Sequence, residues 1–388
     1  MDVDTVVAEV AAAVGLAEGE AGIRDILATV LDIEPAAVRE VSRLAELPVP
    51  IVAAACNELR KRGVVDTQRP VRFTAAGREA VAAATGGAAI RPGCTACGGR
   101  GVLIPPALDS LAVKVQQAAD GAPAVKAELD QTHCTTATKL SRVLRMHQAH
   151  ALAGQRILLL GDDDLVSVAI AHFAAWSDTA GTIRRLAVAD TDPDVLDWIG
   201  QQTAGTGVQV ERVRHDLRQP LPAGLEAGFD VVLTDPPYTV AGAELFLSRA
   251  VAALVPEPGR HVFFSFGARR PDETLAVQQA IAAMGLMVRT LSAGFNEYLG
   301  AGVLAGTSNL YHLRSTTGAT PLIGGEYAGP LYTADGRAAV TRPYRCAQCK
   351  AVHEVGPGAR WPQIAALQAA GCPSCGGTTF RPMALVQR

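Results

Sequence analysis

Three consecutive carboxylates follow the first predicted strand of an α/β pattern. The apolar run Arg156 to Leu160 is typical of a parallel strand buried on both faces, and Gly161-Asp162-Asp163-Asp164 comes directly after it. Adjacent carboxylates repel one another and are costly to take out of water unless a cation compensates them. In the alternative interpretation, one aspartate caps the next helix and the others are solvated. The turn predicts a site for a positively charged ligand.

A second turn with chemical potential follows the predicted strand Phe229 to Thr234. Its sequence is Asp235-Pro236-Pro237-Tyr238, and the prolines stiffen it because each fixes φ and lacks an N–H. The Asp235 carboxylate and the Pro236 carbonyl can then converge on one nitrogen donor, as in amino methyltransferases. Tyr238 would add a cation–π contact of about 0.5–2 kcal/mol. A plain proline turn is the alternative, but the position at a strand tip favours amine binding.

The elements around these turns predict an α/β fold with a Rossmann-like, methyltransferase-type sheet. Strand candidates alternate with helices, and two final strands joined without a helix predict an antiparallel edge pair. Asp190 ends the second strand and is the candidate for binding ribose hydroxyls, while Asp216 follows the third strand beside the expected adenine pocket. The predicted strands are 156–160, 185–189, 208–213, 229–234, 261–266, 286–292 and 308–314.

The charge of the first turn separates two kinds of donor. S-adenosylmethionine carries a carboxylate that glycine-rich loops accept through backbone N–H groups, and three aspartates would repel it. Decarboxylated S-adenosylmethionine ends in an ammonium group, and polyamines are cationic along their length. The sequence therefore favours the decarboxylated donor and a polyamine acceptor.

These motifs together resemble the branched-chain polyamine synthase family, over about residues 30 to 315. The family has a winged-helix-like domain followed by a Rossmann-like catalytic domain. The resemblance implies transfer of aminopropyl groups from decarboxylated S-adenosylmethionine to a secondary amine of spermidine, with methylthioadenosine leaving. It rests on Gly161 to Leu165, Arg214 to Arg218, Asp235 to Thr239, Phe295 to Tyr298, and Asp130-Gln131 with Thr135, Thr138 and Arg142.

With that activity, each candidate residue receives an expected role. Asp162 would take the proton of the attacking amine or orient it, since an acidic pocket keeps amines protonated. Asp235 and the Pro236 carbonyl would hold the nitrogen, and Tyr238 would line the acceptor channel. The flanking ammonium groups would bind Asp163, Asp164 and Glu297, and Gln131 would close the donor side. Thr132-His133-Cys134 departs from the family pattern.

Length and charge predict several domains. We expect a winged-helix-like domain at 1–85, a linker and helical lead-in at 86–150, the catalytic domain at 151–320 and a zinc-ribbon-like domain at 335–388. Residues 1–80 carry 13 acidic and 9 basic side chains, which disfavours DNA binding and favours docking or dimerisation. A homodimer is therefore predicted.

Two Cys-x-x-Cys pairs near the end of the sequence predict a structural zinc site, because four thiolates can close a tetrahedral centre. The ligands are Cys346, Cys349, Cys372 and Cys375. Residues 340–388 hold six basic side chains and one acidic, so the ribbon is compatible with nucleic-acid contact or with docking onto the acidic catalytic domain. Cys94 and Cys97 are either a second metal site or two free thiols.

The whole chain of 388 residues has 35 Lys and Arg against 38 Asp and Glu, which gives no global basicity pointing to nucleic acid. Neither a signal peptide nor a membrane span is predicted, and a cytoplasmic location is expected. Two other functions stay open: an S-adenosylmethionine-dependent amino methyltransferase acting on a nucleobase or protein amide, and a non-enzymatic polyamine sensor. Transfer of the whole aminocarboxypropyl group is a further possibility.

Overall fold

A computed structural model describes residues 2–85, 94, 97, 99–299, 306–332, 342–356, 359–361 and 364–383. The chain divides into two compact units, Met1–Gly329 and Pro330–Arg388. Among the described residues, no helix is long and apolar enough to cross a membrane.

A seven-stranded sheet forms the centre of the first unit. Its strand order is β3-β2-β1-β4-β5-β7-β6, with β1 to β5 paired in parallel and β7 antiparallel to both β5 and β6. The predicted Rossmann-like sheet with an antiparallel edge pair is therefore confirmed. The strands are β1 Arg156–Leu160, β2 Arg185–Asp190, β3 Val210–Arg214, β4 Val231–Thr234, β5 His261–Phe266, β6 Leu286–Glu297 and β7 Thr307–Ser315.

Helices cover both faces of this sheet and bury its apolar strands. The strand residues Leu158 and Leu160 are fully buried, as expected for central parallel strands. The helices of this part are α6 Asp109–Asp120, α7 Thr136–Gln148, α8 Val166–Trp176, α9 Pro193–Thr203, α10 Val240–Ala253 and α11 Pro271–Ala283.

β6 is longer than the sequence indicated and contains two irregularities. The predicted strand ended at Ser292, but β6 continues to Glu297. Between the pairs Ser292 with Leu310 and Asn296 with Ser308, four residues of β6 are spanned by two of β7. Gly294 lies in this bulge with φ +56°, a conformation that glycine adopts without strain. The bulge brings the end of β6 to the carboxyl ends of the parallel strands.

The N-terminal part is a helical module with its own core. Its helices are α1 Val3–Val14, α2 Gly19–Ile33, α3 Val38–Leu44, α4 Val49–Lys61 and α5 Ala75–Thr85. The predicted wing is present only as the isolated bridges Val65 with Phe73 and Ala36 with Val71, because the backbone pairing between these segments is too short to form strands. Dimerisation through this module stays a prediction.

The second unit has a small three-stranded sheet in the order β10-β8-β9 and a short helix. Its elements are β8 Arg342–Cys346, β9 Val352–Val355, α12 Ile364–Ala370 and β10 Phe380–Pro382. Leu367, Phe380 and Val355 form an apolar core together with the buried Cys346 and Cys372.

Candidate active site

The first acidic turn lies at the carboxyl end of β1, as the sequence predicted, and Asp162 is used within it by the backbone. Its Oδ1 accepts the N–H of Val166 at 2.7 Å and its Oδ2 accepts the N–H of Ser167 at 3.0 Å. These are free N–H groups of the first turn of α8, so Asp162 caps this helix. Burial raises the pKa of Asp162 to about 7. The geometry favours a structural role for Asp162 over the predicted role in proton transfer.

Asp163 is the member of the turn with the fewest compensating contacts in the described residues. Its Oδ2 accepts the N–H of Thr132 at 2.9 Å. Burial, together with the charges of Asp164, Asp190 and Asp235, raises its pKa well above the usual range. A cation placed beside this carboxyl would favour its ionised form.

Asp164 is buried and has a permanent cationic partner. Arg142 donates to its Oδ2 at 2.7 Å, and the N–H of Cys134 donates to its Oδ1 at 2.5 Å. Burial opposes its ionisation, but the charges of Arg142 and Lys139 outweigh that effect and hold its pKa below the usual range. Asp164 is therefore a stable anion in the empty site.

Arg142 joins the two acidic turns. It lies on α7, whose first turn is capped by Thr135, and it is 1% exposed. While one nitrogen binds Asp164, another donates to Asp235 at 2.7 Å, and its Nε donates to Asn296 at 2.8 Å. One buried guanidinium thus connects the tips of β1, β4 and β6.

Asp235 lies at the tip of β4 and receives three side-chain donors. Besides Arg142, the hydroxyls of Tyr298 and Tyr238 donate to it at 2.6 and 3.0 Å. Its side chain is 13% exposed, so it is reachable from the cleft. Burial raises the pKa of Asp235 to about 6; the charge of Arg142 acts against this effect and that of Asp164 adds to it. Burial and the charge of Asp235 raise the pKa of both phenols, which keeps them protonated.

The remainder of the second turn is held against the start of α10. Thr239 caps this helix by accepting the N–H of Gly242, and a Cβ at Gly242 would collide with the carbonyl oxygen of Pro237. Glycine therefore permits the close approach that fixes the turn. Pro236 is buried at its centre, and the predicted role of its carbonyl stays a prediction.

The residues predicted for the donor lie at the ends of β2 and β3. Asp190 accepts the N–H groups of Asp162 and Asp192 at 2.9 and 2.8 Å, which fixes the first and second strand tips together. Burial raises its pKa. Gln131 donates to Asp192 at 2.9 Å, so the predicted donor-side residue does lie beside the β2 turn.

Asp216 and Glu297 are paired with arginines in the ligand-free structure. Arg218 binds Asp216 at 2.7 Å, and Arg43 of α3 binds Glu297 at 2.8 Å, with Arg100 at 3.4 Å. Their predicted contacts with adenine and with an ammonium group would require these arginines to share or release them.

Sequence reasoning gave no role in the site to four residues that shape it. Arg142, Asn296 and Tyr298 are hydrogen-bonded around Asp235, and Lys126 binds Asp192 at 2.6 Å. Arg142, Asn296 and Tyr298 stood in motifs quoted above, but motif membership does not reveal which side chains meet. A charged residue among the apolar positions of α7 was the available signal for Arg142.

The four predicted zinc ligands lie together in the second unit. Their sulfur atoms are all within 4.8 Å of one another, with 3.6 Å between Cys346 and Cys375 and 3.6 Å between Cys349 and Cys372. The Nε2 atom of His353 lies 3.2 Å from the sulfur of Cys372. Cys94 and Cys97 are exposed and partly exposed; most of their neighbours in sequence lie outside the described residues.

Comparison with known proteins places this site in a family. The model of the branched-chain polyamine synthase A C-terminal domain matches residues 110–315. An uncharacterized protein of Methanocaldococcus jannaschii is 31% identical, covering 94% of this chain and 89% of that protein. The N(4)-bis(aminopropyl)spermidine synthase of Thermococcus kodakarensis is 30% identical, covering 68% of this chain and 74% of that protein. The synthase of that name from M. jannaschii is 29% identical, covering 67% and 73%.

A solved structure has the same fold. The branched-chain polyamine synthase of Thermus thermophilus superposes with a TM-score of 0.67 at 23% identity, covering 85% of this chain and 98% of that one. The family model spans more than half of the 388 residues, and it includes both acidic turns, Arg142 and Tyr298. The chain belongs to the branched-chain polyamine synthase family.

Proposed function

We propose that the protein transfers aminopropyl groups from decarboxylated S-adenosylmethionine to a secondary amine of spermidine or a related polyamine. The products are a branched polyamine and methylthioadenosine. The chief support within this chain is the pair of acidic turns joined by Arg142, which places Asp163 and Asp235 at one edge of the sheet with too few cations to balance them. Relatives named N(4)-bis(aminopropyl)spermidine synthase support the same activity.

The proposed donor site uses the ends of β1, β2 and β3. Asp190 and Asp216 stand where this fold binds the ribose and the adenine. The T. thermophilus structure holds 5'-methylthioadenosine and N4-aminopropylspermidine, which are the kinds of product expected here. The ammonium end of the donor would approach Asp163, because that carboxyl has the strongest need for a cation.

Asp235 is the carboxylate that we assign to the proton of the attacking amine. A base works best when its pKa is close to the working pH and when it is reachable from the substrate. Asp235 meets both conditions, with a pKa of about 6 and a partly exposed side chain. Asp162 has a suitable pKa, but both of its oxygens already accept N–H groups of α8.

The test is to incubate the protein with spermidine and either donor and to identify the products by mass spectrometry. Aminopropylated spermidine and methylthioadenosine are expected with the decarboxylated donor. Methylated product with S-adenosylmethionine would overturn the proposal in favour of a methyltransferase. Aminocarboxypropylated product would likewise show that the acidic turn tolerates the donor carboxylate.

For the second unit we propose a structural zinc ion bound by Cys346, Cys349, Cys372 and Cys375. The residues fit: four sulfurs each about 2.3 Å from a tetrahedral zinc are separated by about 3.8 Å, close to the two measured separations of 3.6 Å. Bound zinc would join the two knuckles of the ribbon.

Elemental analysis checks this assignment. We expect one zinc per chain in the purified protein and its loss in Cys372→Ser, while Cys56→Ser, which removes a cysteine from the N-terminal core, keeps the metal. Metal-free protein with a folded ribbon would contradict it.

A further inference from the structure

Tyr298 connects Asp235 to a polar chain that leads away from the cleft. Its hydroxyl oxygen lies 2.6 Å from Oδ2 of Asp235 and 2.9 Å from Oγ of Ser308. It also accepts from Arg142 at 3.0 Å and from Tyr238 at 2.7 Å. The proton of Tyr298 therefore has two acceptors within reach. An ionised Asp235 attracts it, whereas a protonated Asp235 leaves Ser308 as the acceptor.

Ser308 is placed to pass a proton onward. It lies on β7, is 2% exposed, and accepts from Nδ2 of Asn296 at 2.9 Å. When Tyr298 also donates to it, both acceptor positions of its oxygen are filled, so its own proton must be donated in another direction. Asn296 is held in turn by Arg142 through its carbonyl oxygen, which fixes the orientation of its amide.

A small cavity adjoins Ser308 on the side away from Asp235. It is bounded by Ser308 and Asn309 of β7 and by Ser42 and Glu46 of the N-terminal module. The space open to the centre of a water molecule is about 10 Å³, which is the size needed for one water. Glu46 is exposed, so a carboxylate that lines the cavity also contacts solvent.

We propose that Tyr298 and Ser308 form the exit path for the proton released by aminopropyl transfer, and that the N-terminal module completes the path through Glu46. The inference rests on the proposed function. A path on this side is needed because the cleft is filled by two cationic substrates during the reaction, and their charges oppose the escape of a proton past them.

The proton count of the reaction is balanced along this path. The secondary ammonium of the acceptor gives its proton to Asp235, and the nitrogen lone pair forms the bond to the propyl carbon. The carbon–sulfur bond of the sulfonium breaks, and its electron pair stays on sulfur as the neutral thioether. Asp235 then gives its proton to the Tyr298 oxygen while Tyr298 gives its own to Ser308, and Ser308 passes one to the cavity water and Glu46.

The competing interpretation is that Ser308 only holds Asn296 and Arg142 in place. Ser265 provides a matched comparison, because its Oγ accepts from the same Nδ2 of Asn296 at 3.1 Å and it is fully buried. Ser265→Ala removes a hydrogen bond to Asn296 without interrupting the path. Ser308→Ala removes the equivalent bond and the path together, and Ser308→Thr restores the hydroxyl.

The experiment measures kcat, KM for spermidine and the solvent deuterium isotope effect for the three variants. For Ser308→Ala we expect kcat to fall by about tenfold or more with an increased isotope effect and an unchanged KM, recovery in Ser308→Thr, and little change in Ser265→Ala. Equal losses in both alanine variants, or an unchanged isotope effect in Ser308→Ala, would overturn the path. A wild-type protein that forms no aminopropylated product would instead refute the proposed function.

Glu46 gives a second, independent test far from the substrates. In Glu46→Gln we expect turnover to decrease and to recover as the concentration of a small buffer such as imidazole is raised, because the buffer replaces the missing proton acceptor. Wild-type turnover should not depend on buffer concentration. A Glu46→Gln protein with wild-type turnover at all buffer concentrations would remove the N-terminal module from the path.

Discussion

Two aspartates flank the same short strand, β4, and their environments give them opposite properties. Asp230 precedes the strand and binds Arg156 through two side-chain bonds and the backbone N–H, with Arg260 as a further partner. These bonds outweigh burial and lower the pKa of Asp230. Asp235 follows the strand and shares its single arginine with Asp164, so burial dominates and raises its pKa to about 6.

The difference shows how this fold separates stability from chemistry. Asp230 has enough cationic donors to stay ionised at any ordinary pH, and it ties together β1, β4 and β5 at the end of the sheet away from the site. Asp235 is left with too little compensation, and a carboxylate in that condition gains from a bound cation or a proton. The number of cations around each carboxyl decides which of the two can react.

The largest expected effect is on catalysis at the carboxyl end of β4. Asp235→Asn should lower kcat by about 10²–10⁴-fold because the base for the amine is lost, while the melting temperature stays close to that of the wild type. Methylthioadenosine formation followed by chromatography measures the first quantity and thermal unfolding the second. Activity within a few-fold of the wild type would assign the proton to another carboxyl, with Asp163 as the next candidate.

Removing the shared cation should damage both folding and activity. Arg142→Met leaves Asp164 and Asp235 as buried anions without a partner, and breaking a buried pair in this way typically costs about 3–5 kcal/mol. Denaturant unfolding measures the loss. The double variant Arg142→Met with Asp235→Asn should regain part of the stability; no recovery would show that Arg142 acts through packing alone.

The pH dependence of stability should distinguish wild type from Asp235→Asn. A carboxyl whose pKa is raised in the folded state favours folding below its unfolded pKa of about 3.9 and loses that contribution as pH rises. The wild type should therefore lose about 2–3 kcal/mol relative to the Asn variant between pH 4 and pH 6, with no further relative change above about pH 7. Chemical unfolding across this range tests the sign, because the other titrating groups are common to both proteins.

The smallest effect in this series is expected at the opposite end of the strand. Asp230→Asn should cost about 1–3 kcal/mol, since it weakens hydrogen bonds to two arginines, and kcat should be unchanged below the melting temperature. Thermal unfolding and the product assay measured together check this contrast. A large loss of kcat in the folded variant would mean that the two ends of β4 are coupled.

Much of the site could be predicted from the sequence because its residues follow strands directly. The position of Asp162 to Asp164 after β1 and of Asp235 after β4 depends only on strand periodicity, and the cysteine cluster depends only on spacing. The use of Asp162 as a helix cap could not be predicted, because all three aspartates are compatible with capping in one dimension. Arg142 and Tyr298 are equally hidden, since their contacts join segments 93 and 63 residues from Asp235.

The bulge in β6 has a consequence for how this sequence can change. Met287, Val288 and Leu291, before the bulge, are exposed, whereas Asn296, after it, is fully buried. The extra residues around Gly294 allow small shifts of the outer segment to be absorbed before they reach the catalytic end. Deleting one residue at 293 would turn Asn296 to the opposite face of the strand, so tolerance to insertion and deletion along this one strand should end abruptly at the bulge.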